Sequence, residues 1–184
     1  MYLILDLEAT CWESKPDKDD SEIIEIGAVI LGDDYETLKE FQSFVKPIRN
    51  GKLSPFCTAQ TTITQEQVDA APRFQDVLAA LKKEVKELGV DLSDLDFYSW
   101  GHYDKNQLMK DCAFHGIKYP FGKHRSLKHD LVEVYGKKMG LGKALKKLGM
   151  KFDGTQHRAI DDTRNIARIF VKEQGKLRNH EKTK

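Results

Sequence analysis

Alternating apolar positions dominate the start of the chain. Tyr2–Leu7 is a β-type run, Ile23–Leu31 (IIEIGAVIL) a second and Leu38–Val45 a third, with Gly32-Asp33-Asp34 as the turn between the last two. Three strands in short succession predict an antiparallel start to a sheet. The period then changes. Phe74, Val77, Leu78, Leu81, Val85 and Leu88 recur at helical spacing, which predicts a helix over Arg73–Leu88 stopped by Gly89. Ser54 and Thr64 are placed as N-caps of short helices, and Thr64 with Gln67 fits a capping box. Phe97–Trp100 reads as a fourth strand closed by Gly101. Asp104 and Gln107 resemble a second capping box, opening a helix to about His115. Leu127–Lys138, Leu141–Leu148 and Arg158–Gln174 are predicted helices. This order predicts an α/β fold with a mixed sheet flanked by helices. No linker divides it, so residues 1–175 are expected to form one domain and the polar, basic 176–184 a frayed tail.

Composition narrows the function classes. The 184 residues are 40% hydrophobic and 32% charged, as in a globular chain rather than a disordered one. No apolar run approaches ~18 residues, so no transmembrane helix and no membrane partner are expected. The N-terminal MYLILDLEAT lacks the basic start and small-residue cleavage site of a secretion signal. Cys11, Cys57 and Cys112 are odd in number and form no CxxC pair, which argues against a disulfide framework or a thiolate zinc site. The expectation is a cytoplasmic protein with reduced cysteines.

The net charge of +1 hides a strong polarity. Residues 1–103 hold 10 Lys and Arg against 20 Asp and Glu, whereas residues 104–151 hold 12 against 4. Such a chain is suited to binding both cations and polyanions, although solvated helix faces would give the same count.

Three groups of residues carry candidate chemistry. On the first strand, Asp6 and Glu8 share a face with Tyr2 and Ile4, while Leu3, Leu5, Leu7 and Ala9 face the other way. Two acids so close on a buried strand repel unless a cation compensates; an exposed strand end would remove the problem. Asp104 follows Trp100-Gly101-His102-Tyr103 at a strand end, where it can act as an N-cap, project into a cleft, or both. The third group is His157-Arg158-Ala159-Ile160-Asp161-Asp162. Helical periodicity puts Asp162 on the face of Ile166, Ile169 and Phe170, and Asp161 on the polar side with Asn165 and Arg168. Both acids also suit the first turn of a helix. His157 can work beside Asp162 only from a preceding irregular turn, which Gly154-Thr155-Gln156 permits. Four inward carboxylates and one histidine, without cysteine, favour Mg²⁺ or Mn²⁺. Paired ions of this kind clamp a phosphodiester for in-line attack by water.

In order and context, Asp6-Leu7-Glu8-Ala9-Thr10, Trp-Gly-x-x-Asp ending at Asp104, and His157-x-Ala-x-x-Asp162 resemble the DEDDh 3′→5′ exonucleases. That superfamily includes ribonuclease T and the proofreading subunits of DNA polymerases, and has a ribonuclease H-like fold. Asp6–Trp12, Glu25–Val29, Phe44–Pro47, Leu53–Cys57 and Ile63–Gln65 are similar to its Eri-type branch, which includes histone-mRNA 3′ exonucleases and bacterial KapD-like proteins. One departure stands out: Gln60-Thr61-Thr62-Ile63 replaces the branch's usual Leu-Thr-Gly-Ile.

The resemblance implies a single exonuclease domain with two Mg²⁺ ions, Mn²⁺ being a plausible substitute. Asp6, Glu8 and Asp162 would hold the first ion; Asp6, with Asp104 nearby, would hold the second. His157 would be the general base, for which histidine's ordinary pKa of about 6.5 is suited. Ala9, Thr10, Phe56 and Lys105 would lie against the terminal nucleotide, and Trp12 is a candidate stacking platform. Core packing is the ordinary alternative for Phe56 and Trp12. Lys123, Arg125, Lys128, Lys137, Lys138, Lys143, Lys146 and Lys147 form a candidate phosphate track. The expected substrate is single-stranded nucleic acid or a 3′ overhang, RNA favoured over DNA, giving nucleoside 5′-monophosphates. A DNA-directed exonuclease and a non-catalytic RNA-binding module on the same fold are the alternatives.

Overall fold

The computed structural model describes residues 1–14 and 20–181, with side chains through Leu177. Its strands are β1 (Tyr2–Ala9), β2 (Ile23–Leu31), β3 (Thr37–Phe44), β4 (Asp96–Ser99) and β5 (His124–Ser126). They form one sheet in the order β3-β2-β1-β4-β5. The first three pair antiparallel, while β4 pairs parallel with both β1 and β5. The helices are α1 (Pro55–Thr61), α2 (Gln65–Ala70), α3 (Phe74–Lys86), α4 (Tyr103–Phe114), α5 (Leu127–Tyr135), α6 (Leu141–Lys147) and α7 (Ala159–Glu181).

Helices cover both faces of the sheet. Leu3, Leu5 and Leu7 pack with Val77, Leu78 and Leu81 of α3 and Leu108 of α4. On the other face, Ile4 and Tyr98 pack with Leu131 of α5, Leu145 of α6 and Ile166, Ile169 and Phe170 of α7. The alternation in β1 therefore holds, and it turns Asp6 and Glu8 toward the face that α7 covers. β2, buried along its whole length, is apolar apart from Glu25 and Gly27. Gly27 opposes Asp6. A Cβ there would overlap the backbone of Ala159 and Ile160, so glycine lets the start of α7 press onto the sheet.

The predicted and observed elements differ in instructive places. β5 is absent from the sequence reading because a three-residue strand carries too little pattern, yet its pairing with β4 completes the sheet. α5 stops at Tyr135 rather than Lys138, because Gly136 takes a left-handed conformation at φ 73°. The capping box at Thr64 and Gln67 forms as predicted. The one at Asp104 and Gln107 does not. α4 starts at Tyr103, and Gln107 instead donates to the Ser21 carbonyl at 2.8 Å and accepts from its hydroxyl at 3.0 Å.

The expected tail is corrected in its first part. α7 continues to Glu181, and residues 182–184 lie outside the described residues. Leu177 extends the apolar stripe seven residues beyond Phe170 and is buried, and Lys176 bonds to Tyr135 and Glu173. The polar loop read over residues 11–21 falls partly at 15–19, also outside the described residues. The departure at Gln60–Ile63 has a local reading: Thr62 caps α1 at φ 60°, the left-handed region where the branch's glycine would sit without strain.

Candidate active site

Three elements bring the predicted acids together. β1 supplies Asp6 and Glu8 near its C-terminal end. The chain leaving β4 turns at Gly101 and enters α4, with Asp104 in the first helical turn. α7 supplies Asp162 in its own first turn. Asp104 is 4% exposed and Asp162 9%. Glu8, His157 and Asp162 each offer a ligand atom, and these atoms lie within 4.8 Å of one another.

Their charges oppose one another. Asp6 is pushed well above the usual carboxylate range, first by burial and then by repulsion from Asp104, Asp162 and Glu8. Glu8 is raised to about 8 by burial and by Asp162, Glu25 and Asp104, with Arg158 offsetting part of it. Asp104 is raised to about 6 by burial, although the Ser99 hydroxyl and the N–H groups of Asp104 and Leu7 favour its charged form. Asp162 is raised to about 6 by burial, against the N–H of His157, which donates to its Oδ2 at 2.9 Å. Hard carboxylate oxygens, crowded beyond what the local cationic side chains offset, are a donor set suited to divalent cations.

His157 sits in the turn before α7, at φ 61°, with an exposed side chain. The residues around it hold it there. Glu25, fully buried on β2, accepts from Arg158 Nε and Nη2 at 3.1 and 3.0 Å and from the Ala159 N–H at 3.0 Å. Gln42 donates to Glu25 Oε1 at 2.8 Å. Asp161 faces away from the site, accepting from the Thr155 N–H and from Arg164.

The residues expected at the terminal nucleotide are more scattered. Ala9 is buried, and Thr10 is buried with its hydroxyl accepting from the Glu22 N–H at 2.9 Å. Trp12 and Lys105 are half-buried. Phe56 is 40% exposed on α1. The start of α1 is tied to the chain after β1, since the Ser54 hydroxyl donates to the Cys11 carbonyl at 2.6 Å. Phe56 therefore stands beside the end of the acid-bearing strand.

Three further features lie at the site. Tyr103, 54% exposed, directly precedes Asp104. Ser99 links Asp104 to His124, whose Nε2 lies 2.9 Å from the hydroxyl, and the His102 ring stacks on His129. Only the Glu25–Arg158 pair had a usable signal: a glutamate inside an otherwise apolar nine-residue strand requires a buried partner.

Known proteins share this sequence and fold. The RNase_T exonuclease family matches residues 3–170. A human 3′-5′ exoribonuclease 1 is 37% identical over 178 residues, which covers 92% of this chain and 51% of the relative, so the chain spans about half the length of that protein. A probable 3′-5′ exonuclease, KapD, from Bacillus subtilis is 34% identical, covering 91% of this chain and 82% of the relative. The crystallographic nuclease domain of 3′hExo, a DEDDh family member bound to rAMP, superposes with a TM-score of 0.87 at 34% identity. That match covers 95% of this chain and 92% of the nuclease domain, and it places the sheet in the ribonuclease H-like fold.

Proposed function

Since the chain belongs to the RNase_T exonuclease family, we propose that it is a metal-dependent 3′→5′ exonuclease acting on single-stranded RNA or 3′ overhangs. The observation that carries this is the convergence of Asp6, Glu8, Asp104 and Asp162 beside His157. The four carboxylates would hold two divalent cations, Mg²⁺ or Mn²⁺. When bound, such ions neutralise charge on the scissile phosphate and stabilise the attacking and leaving oxygens.

His157 takes a proton from the attacking water. The water oxygen forms the new bond to phosphorus, and the bond to the 3′ oxygen of the penultimate nucleotide breaks. That oxygen leaves with the bonding electrons and is protonated, and the terminal nucleotide departs as a 5′-monophosphate. The Glu25–Arg158 pair orients His157 by fixing the backbone on its C-terminal side. Phe56 and Lys105 pack on the base or sugar of the terminal nucleotide, Trp12 supplies a stacking face, and Ala9 and Thr10 lie against it at the strand end. RNA is favoured because the human relative is an exoribonuclease. One nuclease domain that includes α7 to Glu181 and a cytoplasmic location complete the reading, the latter resting on the odd number and wide spacing of Cys11, Cys57 and Cys112.

The test is incubation with matched RNA and DNA strands labelled at the 5′ end. Stepwise shortening from the 3′ end in Mg²⁺ or Mn²⁺, abolished by EDTA and faster on RNA, is expected. Cleavage that persists in EDTA would overturn the metal-dependent reading; faster cleavage of DNA would overturn the RNA preference.

A further inference from the structure

Two openings meet at one side chain. The first, about 390 Å³, is lined by His157 and Asp162 together with Gly140, Gly142, Lys143 and Gln156. The second, about 450 Å³, is lined by Lys137, Lys138, Met139, Lys143, Lys146 and Lys147. Lys143 lines both, so the two openings adjoin at this lysine, and the first of them reaches His157.

Local electrostatics do not account for this lysine placement. α6 buries Ala144 and Leu145 and turns Lys143, Lys146 and Lys147 outward. These three stand at i, i+3 and i+4, where like charges destabilise a helix. Lys146 and Lys147 gain from the negative C-terminal end of the helix, and Lys147 also lies over the Tyr135 ring at 4.7 Å. Lys143 has neither benefit: it lies in the first turn, where a cation is disfavoured. Among the described residues, Lys137, Lys138, Lys143 and Lys146 pair with no carboxylate. By contrast, Arg125, in the same basic stretch of sequence, is engaged with Asp130 at 3.2 Å and with the Tyr98 ring.

We propose that the groove running from Lys143 along the outer face of α6 to Lys137 and Lys138 binds the sugar-phosphate backbone of the substrate strand, 5′ of the scissile bond. This rests on the nuclease reading above and adds to it the path by which the strand leaves the site. Four residues along α6 rise about 6 Å, so Lys143 and Lys147 can meet different phosphates. A groove built from ammonium groups reads charge rather than base identity. The strand is therefore held without sequence preference and with a strong salt dependence.

A second lysine-lined opening serves as the control. Lys82, Lys83, Lys86 and Lys118 line it together with Tyr119, on α3 and the segment before β5, and it shares no residue with the site. Binding of a labelled twelve-nucleotide phosphorothioate strand, which resists hydrolysis, is measured by fluorescence anisotropy in Mg²⁺ over a series of KCl concentrations. The combined substitution Lys138→Gln, Lys143→Gln, Lys146→Gln is expected to flatten the slope of log K against log[salt] by about 2, at about 0.7 for each lost phosphate contact. Lys82→Gln, Lys83→Gln, Lys118→Gln is expected to keep the parent slope. An unchanged slope in the first variant, or an equal loss in both, overturns the track. Failure of the nuclease reading shows separately, as absence of 5′-monophosphate release by the parent protein on an ordinary strand.

Discussion

Two sets of acids, each buried or half-buried, lie side by side in this fold and are treated in opposite ways. Glu22, Glu25 and Asp111 are surrounded by donors. Glu22 accepts from the successive N–H groups of Ile48, Arg49 and Asn50 at 2.8, 2.8 and 2.6 Å. Glu25 has Arg158, Gln42 and the Ala159 N–H. Asp111 is raised by burial, yet it accepts from the Ile23 N–H and pairs with Arg49 at 2.8 Å. Asp6 and Glu8, by contrast, are raised by burial and by the acids around them, and Asp104 and Asp162 stay raised despite the donors they accept from. The first set joins β2, the segment after β3, α4 and α7 into one body. The second stores electrostatic repulsion that a bound cation would relieve. Burial of an acid therefore says little about its role, whereas the donors around it separate structure from chemistry.

The comparison breaks most visibly at Asp6. Asp6→Asn should lower turnover roughly 10²–10⁴-fold, the loss of several kcal/mol of transition-state stabilisation. Its thermal midpoint without metal should stay level or rise, because a repelling charge is gone. Wild-type turnover in this variant would remove Asp6 from the metal set.

Glu25→Gln should behave in the opposite manner. Half-buried Arg158 loses its counter-charge, so denaturant unfolding should show a loss of about 2–4 kcal/mol. Turnover should also fall as the turn bearing His157 loosens. A variant as stable as the parent would show that the pair is not the tether described.

The pH dependence gives a subtler contrast. Glu8 is pushed up to about 8, and Asp104 and Asp162 to about 6, whereas carboxyl groups in the unfolded chain titrate near 4. Between about pH 4 and pH 8 the folded state therefore holds more protons than the unfolded one. The stability of the metal-free protein should fall as pH rises through that window. Saturating Mg²⁺ should flatten the fall, since the cation takes the place of the protons. Thermal melts across this range, with EDTA or with Mg²⁺, check both statements; a metal-free midpoint that rises from pH 5 to pH 8 would contradict them.

The smallest expected effect is that of Glu8→Gln. At pH 8–9 without metal its midpoint should exceed the parent's by a few degrees, corresponding to about 1 kcal/mol, and the difference should vanish near pH 4. Glu22→Gln should lower the midpoint under the same conditions. If both shift the same way, the division into two sets fails.

Periodicity in the sequence was enough to place Asp6 and Glu8 on one face of β1, to turn Asp162 inward and Asp161 outward, and to require an irregular turn for His157. These are local consequences of backbone geometry, which repeats every two residues in a strand and about every 3.6 in a helix. Even Leu3, Leu5 and Leu7 were sorted onto a separate face before any partner for them was known. Pairing across long stretches of chain carries no such period. Glu25 and Arg158 are 133 residues apart, and Ser21 and Gln107 are 86 apart. Nothing in either local pattern specifies its partner. Nor could the count of basic residues show that Lys143 lines one opening with His157 while Arg125 turns to Asp130 and Tyr98. Which acids are satisfied by donors and which are left for a cation depends on what the folded chain brings beside them, and only the tertiary structure decided that.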